Sequence, residues 1–323
     1  MKKIAKNIGK PALATFLAAM MLMSAACGTG GKDTAEPSAE AAQESQAPAE
    51  AQGEEATGEE AAADGQEAPA EASEKTSFDN VTIKVGVSPS PHAVILESIV
   101  PRLAERGIKL EIVTFTDYVQ PNMALEDGSL DANYFQHLPY LLDFNEKNGT
   151  HLASIAEIHY EPMALYKGKL ENLDQLADGS KIAVPNDGTN EARALQLLAA
   201  NGIITLKDGA GLAATKNDIL ENPKNVDIVE IEAAQVPLSL PDVDFGVVNG
   251  NYAINAGLSA NEDAVLVESS DETGVARQFP NVIAVREGDE TRPELLAFLE
   301  ELTSPETKAF IEETYQGVVV PLF

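Results

Sequence analysis

The chain has 323 residues, a formal net charge of −30, ten Phe, seven Tyr, no Trp and one cysteine. Such acidity argues against nucleic acid and against adsorption to anionic lipid headgroups. A lone cysteine excludes an internal disulfide, and the length allows one large core or two lobes.

Residues 1–27 read as a secretory signal. Lys2, Lys3, Lys6 and Lys10 form a basic start, and Ala12 to Ala26 is an apolar run. It is short for a membrane span and lacks a charged stop beyond it. Its end, Leu22-Met-Ser-Ala-Ala-Cys27, resembles the lipobox of bacterial lipoproteins, with Ser24 where Leu is usual. The resemblance implies that Cys27 is the lipidated first residue of the mature chain, on the extracytoplasmic face of the cell membrane. The other reading is ordinary cleavage that leaves a free thiol. Acyl chains would anchor the protein, at about 0.8 kcal/mol per buried methylene.

Residues 28–77 are low complexity and acidic, with thirteen acids against Lys32 and Lys75, a net of −11. Such a segment buries too little apolar surface to offset its ordering entropy, so it is expected to be a disordered tether. An Ala/Glu helix is the competing reading, and Gly and Pro interrupt it. Subtracting the tether's −11 and the four signal lysines' +4 from −30 leaves −23 on the expected folded part, residues 78–323.

Val81 to Val87 alternates and is β-branched, as in a strand. The loop Ser88-Pro-Ser-Pro-His92 follows, then a helix from about Ala93 to Arg106 and a strand from Leu110 to Phe115. This is a right-handed βαβ unit, with its loop where open α/β sheets bind ligands. Pro121 to Glu126 reads as a short helix. The aromatic stretch from Asp131 to Tyr140 comes next, then a helix over Leu138 to Lys147. Strands are expected at Leu152 to Tyr160 and Met163 to Tyr166, on either side of a break at Glu161-Pro162.

A second βαβ begins at Lys181 to Pro185 and continues into a helix over Glu191 to Asn201, with Thr189 or Asn190 as its N-cap and Gly202 as its stop. Val226 to Ile231, Phe245 to Asn251, Ala264 to Glu268 and Asn281 to Val285 read as strands. Tyr252 to Ala256 starts a helix, and helices at Thr291 to Leu302 and Pro305 to Tyr315 close the chain. The expected architecture is α/β in two lobes. Residues 78–166 and 268–323 form lobe one, residues 167–267 form lobe two, and loops from both meet in a cleft.

Arg193 and Asn249 are the polar residues of most interest. Near a helix start, Arg193 with free N–H groups would hold a carboxylate; the competing reading is a salt bridge to Glu191 or Asp187. Asn249 ends a buried strand and offers both donor and acceptor, or it is a turn residue of Asn249-Gly250. No Gly-x-Ser-x-Gly, Walker A loop, His-Glu-x-x-His or Gly-x-Gly-x-x-Gly signature is present, so no enzyme is expected. His92, His137, His151 and His159 lack helical spacing, and no metal or cofactor is expected.

Several motifs, in order, carry a further likeness. Val113 to Asn122, Asp131 to His137, Val184 to Asp187 with Asn190 and Arg193, Glu221 to Asn225 and Val247 to Asn249 resemble the NlpA/MetQ family of methionine-binding lipoproteins. The resemblance covers about Val81 to Phe323. It implies a type II-like periplasmic-binding-protein fold and delivery of L- or D-methionine to an ABC importer with a MetI-like permease and a MetN-like ATPase. The binding protein would be a monomer. By position, the family's ligand site implies Tyr118, Phe135, His137 and Tyr140 around a thioether, with Tyr160 joining that wall. Arg193 would take the ligand carboxylate, and Asn190 and Asn249 the head group. A methionine-containing dipeptide or another small amino acid remains the alternative ligand. An enzyme or adhesin on the same scaffold is the reading from other classes.

Overall fold

The computed structural model describes residues 76–269 and 275–323. The expected signal, its Cys27 and the acidic segment up to residue 75 lie outside the described residues. Strands β1 (Val81–Val87) and β2 (Ile108–Thr114) pair in parallel, joined through helix α1 (Val94–Glu105). Then come α2 (Gln120–Glu126), β3 (Ala132–His137), α3 (Leu138–Asn148) and β4 (Leu152–Tyr160). The middle of the chain forms β5 (Ala164–Lys167), β6 (Lys181–Pro185), α4 (Gly188–Ala200), β7 (Thr205–Leu206), β8 (Ile219–Glu221) and β9 (Asp227–Ile231). It continues through α5 (Val236–Ser239), β10 (Phe245–Val248), α6 (Gly250–Asn255) and β11 (Ala264–Val267). The last part is β12 (Asn281–Arg286), α7 (Pro293–Leu302), α8 (Pro305–Tyr315) and β13 (Val320–Pro321).

These strands make two main sheets. The first has the order β13-β4-β12-β3-β1-β2, and the second β11-β5-β10-β6-β9. Within the first, β12 runs antiparallel to both β3 and β4. Within the second, β6 is parallel to β9 and β10, whereas β5 is antiparallel to β10 and β11. Each sheet has its own core. Ile83, Val85, Ile95, Ile99, Leu103, Phe298 and Ile311 are fully buried around the first. Each such side chain stabilises the fold by about 1.5–3 kcal/mol. Arg102 of α1 and Arg106 just after it also reach Glu301 of α7, which ties the returning C-terminal helices to the first lobe.

The chain therefore crosses between lobes twice, at Glu161–Met163 and after Val267. The first crossing lies earlier than the expected boundary near Tyr166, because Ala164–Lys167 hydrogen-bonds with β10 in the second sheet. The two crossings are themselves joined. Glu268 N donates to Met163 O at 2.9 Å, and Met163 N donates to Glu268 Oε2 at 2.8 Å.

The start of α4 also differs from expectation. Its N-cap is Asp187, whose side chain accepts from Asn190 N, so the helix begins at Gly188. A carboxylate satisfies the exposed N–H groups at a helix start and suits its partial positive charge. Arg193 therefore lies beyond the first turn. Asn190, relieved of capping, keeps its side chain for other partners.

Candidate functional site

The aromatic stretch divides its side chains between two jobs. In β3, Tyr134 packs into the first lobe's core. Phe135 packs instead with Tyr140, Phe144 and Tyr118. The strand runs straight into α3 because His137 is the helix N-cap and Pro139 fills the first turn. Proline is tolerated there since its missing N–H would have no helical partner. Tyr140 leaves that first turn and meets the Tyr118 ring at 5.7 Å between centroids.

These rings face α4 and α6 of the second lobe across a small cavity that is partly open to solvent. Tyr118, Phe135, His137 and Tyr140 line it from the first lobe; Asn190, Arg193 and Asn249 line it from the second. Seven of the eight expected ligand residues thus come together. Tyr160 does not line the cavity. It is buried in β4, with the Arg277 guanidinium 5.5 Å from its ring centroid.

Side chains bridge the two lobes. His137 Nδ1 accepts from Tyr140 N at 3.1 Å, so the ring proton sits on Nε2 and is donated to Asn190 Oδ1 at 3.0 Å. Asn190 Oδ1 also accepts from Asn249 Nδ2 at 2.8 Å, while Asn190 Nδ2 donates to Asp187 Oδ1 at 2.8 Å. Burial, and then the charge of Arg193, hold the His137 pKa down at about 3, so the ring is neutral. The Tyr118 hydroxyl donates to Asn251 Oδ1 at 2.6 Å, and the Tyr252 hydroxyl to Thr116 O at 3.2 Å.

This network fixes both amides and leaves two buried atoms without a partner among the described residues, the acceptor Asn249 Oδ1 and the donor Asn251 Nδ2. A buried polar atom left unpaired costs about 1–3 kcal/mol. An acceptor and a donor, both unpaired and both on residues that line one cavity, call for a ligand offering the complement of each.

Arg193 is engaged more deeply than either sequence reading expected. Its partner is neither Glu191 nor Asp187. Its Nε donates to Glu268 Oε1 at 2.8 Å and its Nη2 to Glu268 Oε2 at 2.5 Å, a buried two-point pair. Its Nη2 also donates to Glu161 O at 2.7 Å, and the Phe279 ring lies 4.3 Å from the guanidinium carbon. Nη1 makes no hydrogen bond among the described residues.

Gln136, Glu161, Gly250, Asn251 and Asn281 also line the cavity, beyond the eight residues that the family resemblance implied. Asn251 had a signal, as the second amide of Asn249-Gly-Asn251. Glu161 had none beyond a break before proline. Gly250 allows the close approach of α6 to Glu161, since a Cβ there would lie 2.6 Å from Glu161 Cβ and Oε2.

Glu161 also belongs to the group of side chains, among the described residues, with the makings of a metal site. His92, His159 and Glu161 are buried with one ligand atom each within 4.8 Å of the others. Spacing along the chain could not reveal it, because the three come from the loop after β1, from β4 and from the crossing. Every ring nitrogen in the group is already bonded. His92 Nδ1 meets Ser88 Oγ at 2.5 Å and its Nε2 meets Asn281 Oδ1 at 3.0 Å. His159 Nε2 meets Glu161 Oε1 at 2.9 Å, and its Nδ1 meets the Tyr134 hydroxyl. Burial lowers the His92 pKa to about 4 and the His159 pKa to about 3, and raises that of Glu161.

Comparison with known proteins adds an independent line. The sequence model of the NlpA lipoprotein family matches residues 83–323. The D-methionine-binding lipoprotein MetQ of Escherichia coli (strain K12) is 40% identical over 242 residues, covering 74% of this chain and 87% of that protein. Among solved structures, a lipoprotein from Ruminococcus gnavus is 54% identical, with a TM-score of 0.74 over 75% of this chain and 99% of that one. A nutrient-binding protein from Burkholderia cenocepacia, solved bound to methionine, is 41% identical, with a TM-score of 0.69 over 75% of this chain and all of that one.

Proposed function

The chain belongs to the NlpA lipoprotein family, and from that premise we propose that it is the methionine-binding protein of an ABC importer. It captures the amino acid between its lobes and carries out no chemistry of its own. The observation that carries this reading is the mixed lining of the cavity. Part of the lining is aromatic, made by Tyr118, Phe135 and Tyr140. Sulfur against aromatic faces contributes about 0.3–1.5 kcal/mol, which suits an unbranched thioether. The lining also includes Arg193, Asn249 with its unpaired acceptor Oδ1 and Asn251 with its unpaired donor Nδ2, which suit an ammonium and a carboxylate.

Two-lobed binding proteins of this kind close on their ligand by hinge motion. The relatives' names as lipoproteins support a membrane-associated protein. In the proposal, Cys27 carries the lipid and the acidic segment holds the lobes away from the extracytoplasmic face. The receiving partners are a MetI-like permease and a MetN-like ATPase. Isothermal calorimetry on the purified protein tests the ligand, with L-methionine, D-methionine and a Gly-Met dipeptide in turn. Saturable one-to-one methionine binding is expected. Binding of Gly-Met with none of either methionine enantiomer overturns the reading.

A further inference from the structure

Arg193 is the one Lys or Arg side chain among the described residues lining the cavity. Its charge is already matched by Glu268, through two hydrogen bonds of 2.8 and 2.5 Å between groups that are both buried. Glu268 is in turn fixed by the first crossing, since its Oε2 accepts from Met163 N at 2.8 Å. A second carboxylate, Glu161, lines the same cavity. The basic side chains against it are the rings of His92 at 3.5 Å and His159 at 2.9 Å, and both are buried. Around Arg193, therefore, two buried carboxylates, Glu268 and Glu161, stand against one guanidinium, with an unpaired acceptor, Asn249 Oδ1, on the cavity wall.

We propose that Glu268 sets the charge preference of the cleft, admitting ligands that carry an ammonium beside their carboxylate and rejecting carboxylates that lack one. The inference rests on the amino-acid reading above. A zwitterion brings its own cation to Glu161 and Asn249 Oδ1 while its carboxylate meets Arg193 Nη1. A bare carboxylate brings a second negative charge into a site whose only guanidinium is already paired. Burying a charge without a partner is strongly unfavourable. Discrimination thus comes from a feature that penalises the wrong ligand, and the attractive contacts need not be stronger for the right one. Without Glu268, Arg193 would stand as an unmatched cation open to any carboxylate.

The test is calorimetric titration of the full-length protein with methionine and with its desamino analogue, which keeps the thioether and carboxylate but lacks the ammonium. The wild type is expected to prefer methionine by about a hundredfold or more, the loss tied to a buried unpaired charge. Glu268→Gln keeps the size of the side chain and an acceptor for Met163 N. It is expected to shrink that preference by about tenfold or more, methionine weakening while the analogue gains. Glu268→Asp, which keeps the charge, should restore most of the preference. A purely structural role would weaken both ligands equally, and an unchanged ratio in Glu268→Gln overturns the inference. So does a wild type that binds the analogue within threefold of methionine, whether or not the variants fold. A wild type that binds neither ligand refutes the amino-acid reading itself, and the inference with it.

Discussion

Truncating Asn249 to alanine separates a ligand-binding amide from a structural one. In the free protein its Oδ1 is buried without a partner, and its Nδ2 bonds Asn190 Oδ1 at 2.8 Å. Removing the amide loses one hydrogen bond, about 0.5–1.5 kcal/mol, and relieves an unpaired acceptor worth about 1–3 kcal/mol. The two effects oppose, so the net change in stability should lie between a loss of about 0.5 kcal/mol and a gain of about 2.5 kcal/mol. With ligand present the balance is one-sided. Losing a hydrogen bond to an ammonium costs about 1.5–3 kcal/mol, which weakens binding roughly 10- to 150-fold. Calorimetric titration with methionine and scanning calorimetry without it measure the two quantities. A variant that binds within threefold of wild type refutes the argument. So does one that loses more than about 3 kcal/mol of stability, since Asn249 would then be holding the lobe together.

Arg193→Ala should abolish measurable binding and also lower stability by about 3–5 kcal/mol, because Glu268 is left buried without its cation. Adding Glu268→Ala should recover part of that loss in a melting experiment, and no recovery would count against the pair. Tyr118→Phe deletes the 2.6 Å bond to Asn251 Oδ1 across the lobes. Binding should weaken by about fivefold, from a hydrogen bond worth about 1 kcal/mol. The His137 pKa falls from about 6.5 in the exposed ring to about 3 when buried in the fold. Above pH 6.5 both forms are neutral and the contribution to stability is complete. Below it the unfolded chain takes a proton that the folded one refuses, so stability falls by about 1.4 kcal/mol per pH unit for this group. A His137→Gln variant should show a shallower decline from pH 6.5 to pH 5 in denaturant titrations, and equal slopes would refute the assignment.

Much of this was legible in the residues because it rests on local pattern. Alternation of β-branched residues marked Val81–Val87, and amphipathic spacing marked Pro305–Tyr315. The aromatic stretch and Arg193 stood out because such residues are scarce in this chain. What escaped was long-range. The capping role of Asp187 depends on where a helix begins, and Asp, Thr and Asn all suit that position. The sheet to which Ala164–Lys167 belongs depends on its partner, β10, about eighty residues later. Glu161 and Glu268 read as two acids among many until folding buried them beside Arg193. Tyr160 shares the composition of the wall residues, and only packing turns it away from the cavity.

The paired crossings have a mechanical consequence. Met163 and Glu268 exchange two hydrogen bonds where the chain passes between lobes, and the same Glu268 grips Arg193. In the proposed hinge motion, a swing of one lobe against the other would pivot near that ladder, and Arg193 beside it would travel little. His137 with Asn190, Tyr118 with Asn251, and Tyr252 with Thr116 are among the contacts such a swing would part. Opening would therefore be a peel rather than a uniform parting. For the proposed ligand, the aromatic wall would withdraw from the thioether while the carboxylate was still held, and the last grip to loosen would sit on the axle.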